Sequence, residues 1–242
     1  MAEIHVLIAA AGRGTRAGLS YPKTLFPIKG KPILVRIAEV LASYDAQPTI
    51  IVSPEGKLPV LQCLSQNSMR AHLVVQPQPL GMGDAVLRFT DSPAFVEAEN
   101  ILLVWGDIPF LQPETVAAMV DEHIQHKNDF TFTTCVVDSA YTMVSRGAEG
   151  QVTGVIETRE QGIADPQAGE RDIGLFIFRK ALVLDALSEE LPYKWGKSTG
   201  EHGFLYVIGH LVMRGLRVKA LPVATELDLV SLNSLKDVAA FR

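Results

Sequence analysis

The side chains best able to do chemistry in this 242-residue chain fall in three stretches far apart in sequence. The first is Leu7-Ile8-Ala9-Ala10-Ala11-Gly12-Arg13-Gly14-Thr15-Arg16, followed at a short distance by Pro22-Lys23. An apolar run that breaks into glycines and small residues lets backbone N–H groups approach phosphate oxygens closely, because little side chain stands in the way. Ala10, Ala11, Gly12, Gly14 and Thr15 are therefore candidate nucleotide-binding residues. Arg16 and Lys23 bring positive charge to where a triphosphate would lie. The loop is not a dinucleotide fingerprint, which needs a third glycine, nor a Walker loop, which needs a following Gly-Lys-Ser/Thr. Taken alone, it fits a tight strand-to-helix turn equally well.

The second stretch is Gln76-Pro77-Gln78-Pro79-Leu80-Gly81-Met82-Gly83-Asp84-Ala85-Val86. The Gln76 amide carries both a donor and an acceptor, which suits the edge of a pyrimidine. Gly81 and Gly83 would let backbone lie against the plane of a base. The third stretch, Leu102-Leu103-Val104-Trp105-Gly106-Asp107-Ile108-Pro109-Phe110, sets a carboxylate just after an apolar run. Open α/β sheets hold ligands at the carboxyl ends of their strands. Magnesium prefers oxygen ligands and keeps several waters, so one carboxylate plus substrate phosphates makes a reasonable site, with Asp107 as the candidate ligand.

The framework that must position these residues can be outlined from the pattern of apolar runs. Strand-length runs alternate with longer helix-like segments, the signature of βαβ units and a mostly parallel sheet. Strands are expected at Ile4 to Ala11, Thr49 to Val52, His72 to Val75, Asn100 to Trp105, Phe130 to Val137, Gly174 to Phe178 and Val218 to Val223. Helices are expected over Pro32 to Ser43, with Ile33, Ile37, Val40 and Leu41 on one side, over Leu58 to Gln66, and over Gly83 to Phe89. Others should start at Pro113, where proline and the following Glu114 suit a first turn, and near Ser234. Arg146 to Arg171 reads as a Gly- and charge-rich hairpin region.

Bulk properties narrow the function. Hydrophobic residues at 48% and charged residues at 20% describe a globular chain rather than a disordered one. A net charge of −5 speaks against general nucleic-acid or anionic-membrane binding, both of which need a basic surface. The run after Ile4 is too short to span a bilayer, and no basic leader precedes it, so a cytoplasmic protein is expected. Cys63 and Cys135 form neither a CxxC pair nor a ligand cluster and read as buried thiols.

The motif Ala-Ala-Gly-x-Gly-Thr-Arg, then Pro22-Lys23, then Gly30-Lys31-Pro32-Ile33-Leu34, closely resembles the signature of the nucleotidyltransferase superfamily. Within it the chain is most similar to the uridylyltransferase domain of bacterial N-acetylglucosamine-1-phosphate uridylyltransferases, in register from about residue 4 to residue 110 and patchily thereafter. The resemblance implies an α/β, Rossmann-like nucleotide-diphospho-sugar transferase fold: a mostly parallel mixed sheet, helices on both faces and a small β-hairpin annex. It implies one nucleotidyltransferase domain over 1–242, with a nucleotide-binding half to about 110 and an acceptor-binding half beyond. It also implies catalytic roles for Lys23 and Arg16 on the phosphates, base contacts from Gln76 and Gly81, and Mg²⁺ held by Asp107 and by Asn233 in Leu232-Asn233-Ser234-Leu235-Lys236-Asp237-Val238. As an alternative, Asn233 would fill a helix N-cap well.

The acceptor half matches less well. Val152-Thr153-Gly154-Val155-Ile156-Glu157 resembles the family's sugar-holding hairpin, which points to Glu157, and by the same register to Asp172 and Gly106, as acceptor-binding residues. The family's Tyr-Gly-Arg is missing, its Asn-Thr-Gly reads Asp172-Ile173-Gly174, and its Gly-Glu-Tyr-Tyr reads Gly200-Glu201-His202-Gly203. Met82 replaces a Thr beside the base, and Asp84 a His. His202, Lys194 and Lys197 are secondary candidates for an anionic acceptor. Nothing resembles the hexapeptide repeats of the family's acetyltransferase half, so acetyl transfer is not expected. The expected reaction joins an NTP, with UTP first, to a sugar 1-phosphate and releases pyrophosphate, with NTP and acceptor as the only partners and a homo-oligomer compatible with the sequence. Two rivals stay open: cytidylyl or guanylyl transfer to a non-sugar phosphate, and a regulatory module that senses nucleotide sugars.

Overall fold

The computed structural model describes residues 3–12, 14, 18–237 and 239. Strands β1 (Ile4–Ala9), β4 (Thr49–Val52), β5 (His72–Val75), β6 (Asn100–Trp105), β7 (Phe130–Val137), β10 (Gly169–Arg179) and β11 (Val218–Leu221) form a seven-stranded sheet in the order β11-β7-β10-β6-β1-β4-β5. The β1–β4, β1–β6, β4–β5 and β7–β11 pairings are parallel, whereas β10 runs antiparallel to both β6 and β7. The sheet is therefore mixed and mostly parallel, and it crosses both halves of the chain.

Alternation along each central strand explains why both faces are covered. Val6 and Ile8 of β1, Leu102 and Val104 of β6, and Leu175 and Ile177 of β10 point into one core. Leu7, Ile101, Leu103, Phe176 and Phe178 point into the other. The first core is closed by α1 (Ile33–Leu41), α2 (Lys57–Gln66) and α4 (Pro113–Gln125), through residues such as Ile37, Val60 and Met119. The second is closed by α3 (Met82–Leu87), α5 (Lys180–Ser188) and α6 (Tyr206–Met213), through Val86, Leu187 and Ile208. Strands buried on both faces need such continuous apolar runs. Phe130, Phe132, Phe176, Phe178 and Phe204 stack and tilt against one another in the second core, with Phe130 and Phe178 centroids 5.5 Å apart.

Two small antiparallel pairs flank the sheet. β2 (Pro27–Ile28) and β3 (Lys31–Pro32) lead into α1, and β8 (Thr142–Arg146) with β9 (Val152–Glu157) forms the hairpin annex, packed on α6. α4 begins at Pro113 with Glu114 in its first turn, as its sequence requires. Of the final helix expected from about Ser234, the described residues up to Asp237 form a turn, and most of the rest lies outside the described residues. The Asp237 carboxylate accepts from the backbone N–H groups of Asn233 at 2.9 Å and Ser234 at 2.6 Å, the backward bonding of a helix-opening turn with Ser234 in the capping place. Asn233 is thus not a helix cap here. Cys63 is buried as expected, while Cys135 is only half-buried, and both are free thiols.

Candidate active site

β1 and β6 pair in parallel up to Ala9 and Trp105, so the loops that follow them leave the sheet side by side. Gly106 makes that approach possible: its N–H donates to Ala9 O at 2.9 Å, and a Cβ there would stand 2.8 Å from the same oxygen. After β1 the chain folds back on itself. Gly14 has φ +73°, and a Cβ on it would meet Tyr21 O at 3.0 Å and Lys23 N at 3.2 Å. Lys23 opens a short 3₁₀ turn, Lys23–Leu25, behind Pro22, and its side chain runs past Gly12, where a Cβ would lie 3.3 Å from Lys23 Cε. Its ammonium donates to Asp107 Oδ2. Gly14 and Lys23 thus meet Asp107, which lies 84 positions beyond Lys23, in one place. Thr15 and Arg16 lie outside the described residues, and Ala10 and Ala11 lead out of β1 into this loop.

Asp107 is 8% exposed, and its other oxygen, Oδ1, is buried without a hydrogen-bond partner. A carboxylate oxygen left so is costly unless something fills the role of a partner. The C-terminal segment arrives beside it, with Leu232 N–H donating to Asp107 O at 2.9 Å. Asn233 lines the same cleft, and its amide N–H is given to Ser231 Oγ at 2.9 Å, which leaves the carbonyl oxygen for a cation. No group of three or more His, Cys, Asp or Glu among the described residues is arranged so that it could hold a metal ion by itself. One unpartnered carboxylate oxygen and one amide carbonyl, with phosphates to complete the shell, fit magnesium better than a metal that demands an all-protein cage.

The cleft has a volume of about 810 Å³ and extends from Lys23 and Asp107 across the hairpin annex to α6. Glu157 lines it, as expected. Burial, followed by the negative charges of Asp172, Glu160 and Glu201, pushes its carboxyl above the usual range. Asp172 itself is fully buried and does not line the cleft. Thr142 donates to its Oδ1 at 2.6 Å and Gly174 N–H to its Oδ2 at 3.0 Å, and burial drives its pKa upward against these bonds. It holds the irregularity of β10 between Asp172 and Phe176, a support beneath Glu157 rather than a wall. Gly106 likewise packs strands and is not a lining residue.

The base-reading turn is engaged from within. Gln76 is 5% exposed, and its amide N–H₂ donates to Gly81 O at 3.0 Å and Asp84 Oδ2 at 2.9 Å, while Arg88 pairs with the same carboxylate at 2.8 Å. Gly81, at φ +107°, and Gly83 are both overlain by the segment around His202. Cβ atoms there would stand 2.4 Å from His202 O and 2.1 Å from Gly203 O respectively. His202 N–H donates to Leu80 O and Gly83 N–H to His202 O. Burial, then the Lys194 charge, holds the His202 imidazole below its ordinary pKa. Lys194 is buried and paired with Glu190 at 2.7 Å, whereas Lys197 does line the cleft. Sequence reasoning did not single out Trp105, Tyr193, Trp195 and Tyr206, which also line it. They come from the end of β6, from a strap of residues 193–203 between α5 and α6, and from α6, and no spacing links them.

The sequence profile of the MobA-like NTP transferase domain matches residues 6–182, more than half of the chain. The chain belongs to that family. Among curated relatives, the bifunctional protein GlmU of Alkalilimnicola ehrlichii is 30% identical over 241 residues, covering 98% of this chain and 50% of the relative. The GlmU protein of Carboxydothermus hydrogenoformans is 27% identical over 236 residues, covering 96% of this chain and 51% of the relative. The chain thus spans about half the length of the curated relatives it matches. A Bacillus anthracis protein assigned as a glucose-1-phosphate thymidylyltransferase and crystallised with sucrose superposes with a TM-score of 0.77 at 17% identity, covering 98% of this chain and 93% of that one. This last likeness establishes the shared nucleotidyltransferase-type fold. No helix among the described residues is long and apolar enough to cross a membrane.

Proposed function

We propose that this MobA-like domain transfers a nucleotidyl group from an NTP to a phosphorylated small molecule, a sugar 1-phosphate with UTP as the first candidate donor, and releases pyrophosphate. One observation carries the reading: Lys23 and Asp107 pair at the carboxyl ends of β1 and β6, and the second Asp107 oxygen lacks a partner. The likeness of the chain's motifs to those of N-acetylglucosamine-1-phosphate uridylyltransferases supports a sugar phosphate as acceptor.

In such a reaction an acceptor phosphate oxygen attacks the α-phosphorus in line, and the bond to the β-phosphate bridging oxygen breaks. The nucleophile is already ionised, so the protein's task is positioning and charge neutralisation. Lys23 would exchange its bond to Asp107 for one to the α-phosphoryl oxygens. The loop amides at Gly12 and Gly14, with Arg16, would hold the departing phosphates. Mg²⁺, when bound by Asp107 and Asn233, supplies further neutralisation of phosphate charge.

The base has a second reading, favoured by one observation. The Gln76 amide donors are already spent on Gly81 and Asp84, and Met82 offers no hydroxyl, so cytidylyl or guanylyl transfer competes with uridylyl transfer. A sensing module without turnover is disfavoured by the intact Lys23–Asp107 pair. The test is pyrophosphate release with Mg²⁺ across four NTPs and a set of sugar 1-phosphates and phospho-alcohols. Lys23→Ala should lower turnover by roughly a hundredfold while the fold survives. Undiminished turnover in that variant would refute the assignment.

A further inference from the structure

The cleft has a second wall that phosphoryl chemistry does not use. A bridge between Trp195 and His202 lays the strap along the cleft, and the rings of Trp195, His202 and Tyr206 follow one another at centroid distances of 5.3 and 6.1 Å. Glu157 stands beside them. A Cβ built on Gly203 would be 3.5 Å from the Tyr206 ring and 3.8 Å from Glu157 Oε1, so ring and carboxylate converge on one spot.

The Glu157 carboxylate has no hydrogen bond or ion pair to any described residue, and most charges near it are negative. The cations that line or flank the cleft are committed elsewhere or lie apart. Arg159 lies 3.5 Å from Glu160, Lys194 is bound to Glu190 with its ammonium 5.8 Å from the Trp195 ring centre, and Lys197 leans over Tyr193 at 6.0 Å from the ring, so the Tyr206 face beside Glu157 is the one with no cation over it among the described residues. Glu160 is further occupied by Ser198 N–H at 2.7 Å and the Thr199 hydroxyl at 3.1 Å. A half-buried carboxylate without a partner favours an incoming cation, and aromatic faces add to that attraction for organic ammonium groups. Burial and the like charges that raise the Glu157 pKa act in the same direction.

We propose that the acceptor carries an ammonium group on the same small molecule as its phosphate, received by Glu157 and the rings of Tyr206 and Trp195. The inference rests on the transfer reading and names the acceptor's second functional group. An amino sugar 1-phosphate and a phosphorylated amino alcohol both satisfy it.

Two matched pairs separate these sources and isolate the charge: glucosamine 1-phosphate against glucose 1-phosphate, and phosphocholine against its uncharged carbon isostere 3,3-dimethylbutyl phosphate. Pyrophosphate release should favour the cationic member tenfold or more in kcat/KM on at least one scaffold. Glu157→Gln should bring that ratio towards one, and Tyr206→Phe should retain it. Equal or better use of the neutral member on both scaffolds, or a ratio unchanged in Glu157→Gln, overturns the proposal. Turnover of neutral phosphates alone would do so while leaving the transfer reading intact. Both tryptophans of the chain line the cleft, so their fluorescence reports binding without catalysis. Saturable quenching by the cationic members, with no pyrophosphate released from any NTP, would uphold the cation pocket and end the transfer reading.

Discussion

At the scale of single residues, the glycines of the second motif answer a different demand from the one their sequence suggested. Gly81 and Gly83 look like a surface for a base, yet both lie under the backbone of His202 and Gly203. Gly83→Ala would drive a methyl group to within 2.1 Å of a backbone oxygen that cannot swing aside. Overpacking of this kind costs about 2–3 kcal/mol, and relief requires the strap to lift from the turn. Gly30→Ala makes the matched control. Its φ of +77° costs about 1 kcal/mol for a side chain, but open space surrounds the site. Urea midpoints should fall in both variants, further in Gly83→Ala, and only Gly83→Ala should raise the KM for acceptor. Equal KM values in the two would mean that the strap does not shape the cleft.

At the scale of elements, α4 is fastened to the sheet by a polar network that acid should loosen. His123 is 2% exposed, and its ring nitrogens contact Thr131 Oγ1 at 3.0 Å and Asn100 Oδ1 at 3.1 Å. A neutral imidazole satisfies both, donating to Asn100 and accepting from Thr131. Burial, only partly opposed by Asp129, pushes the pKa down to about 4 from an ordinary 6.5. Between those values the unfolded chain holds the extra proton, so stability is present above pH 6.5 and is lost as pH falls towards 4. This group alone should remove about 2 kcal/mol between pH 7 and pH 5. His123→Gln, less stable at pH 7, should show a correspondingly shallower pH dependence in urea unfolding. Parallel pH profiles for the two proteins would exclude His123 as the source. The same elements mark how far the sequence could be read. Asn100–Trp105 was legible to the residue because a run buried on both faces is almost wholly apolar, and Phe130–Val137 because it is built almost wholly of β-branched and aromatic residues that favour a strand. Neither α5 nor α6 was foreseen: Ala181 to Leu184 and Tyr206 to Ile208 are short apolar runs whose period does not separate helix from strand. Lys23, Asp107 and Glu157 could be located because each belongs to a motif continuous in sequence. The aromatic wall could not, because tertiary packing alone assembles it.

At the scale of the whole molecule, the site depends on the end of the chain returning to the end of β6. Asp228 makes that return. Its carboxylate, 1% exposed, accepts from Gln112 N–H at 2.8 Å and the Thr115 hydroxyl at 2.9 Å at the head of α4, and from Thr225 N–H and hydroxyl, both at 2.8 Å. Five residues on, Asn233 lines the cleft, just after the Leu232 bond to Asp107. Asp228→Ala strands two donors of α4 and should cost about 3 kcal/mol in urea unfolding, without touching any substrate. If the tail's docking is what presents Asn233, that variant should also need more Mg²⁺ for half-maximal pyrophosphate release, by about tenfold, as should Asn233→Ala with its stability nearly unchanged. The double variant should then be no worse in Mg²⁺ requirement than either single one, because both act on one ligand. Additive effects would mean that Asp228 stabilises the fold and Asn233 serves the cleft independently, and the tail would lose its role as a carrier of the second metal ligand.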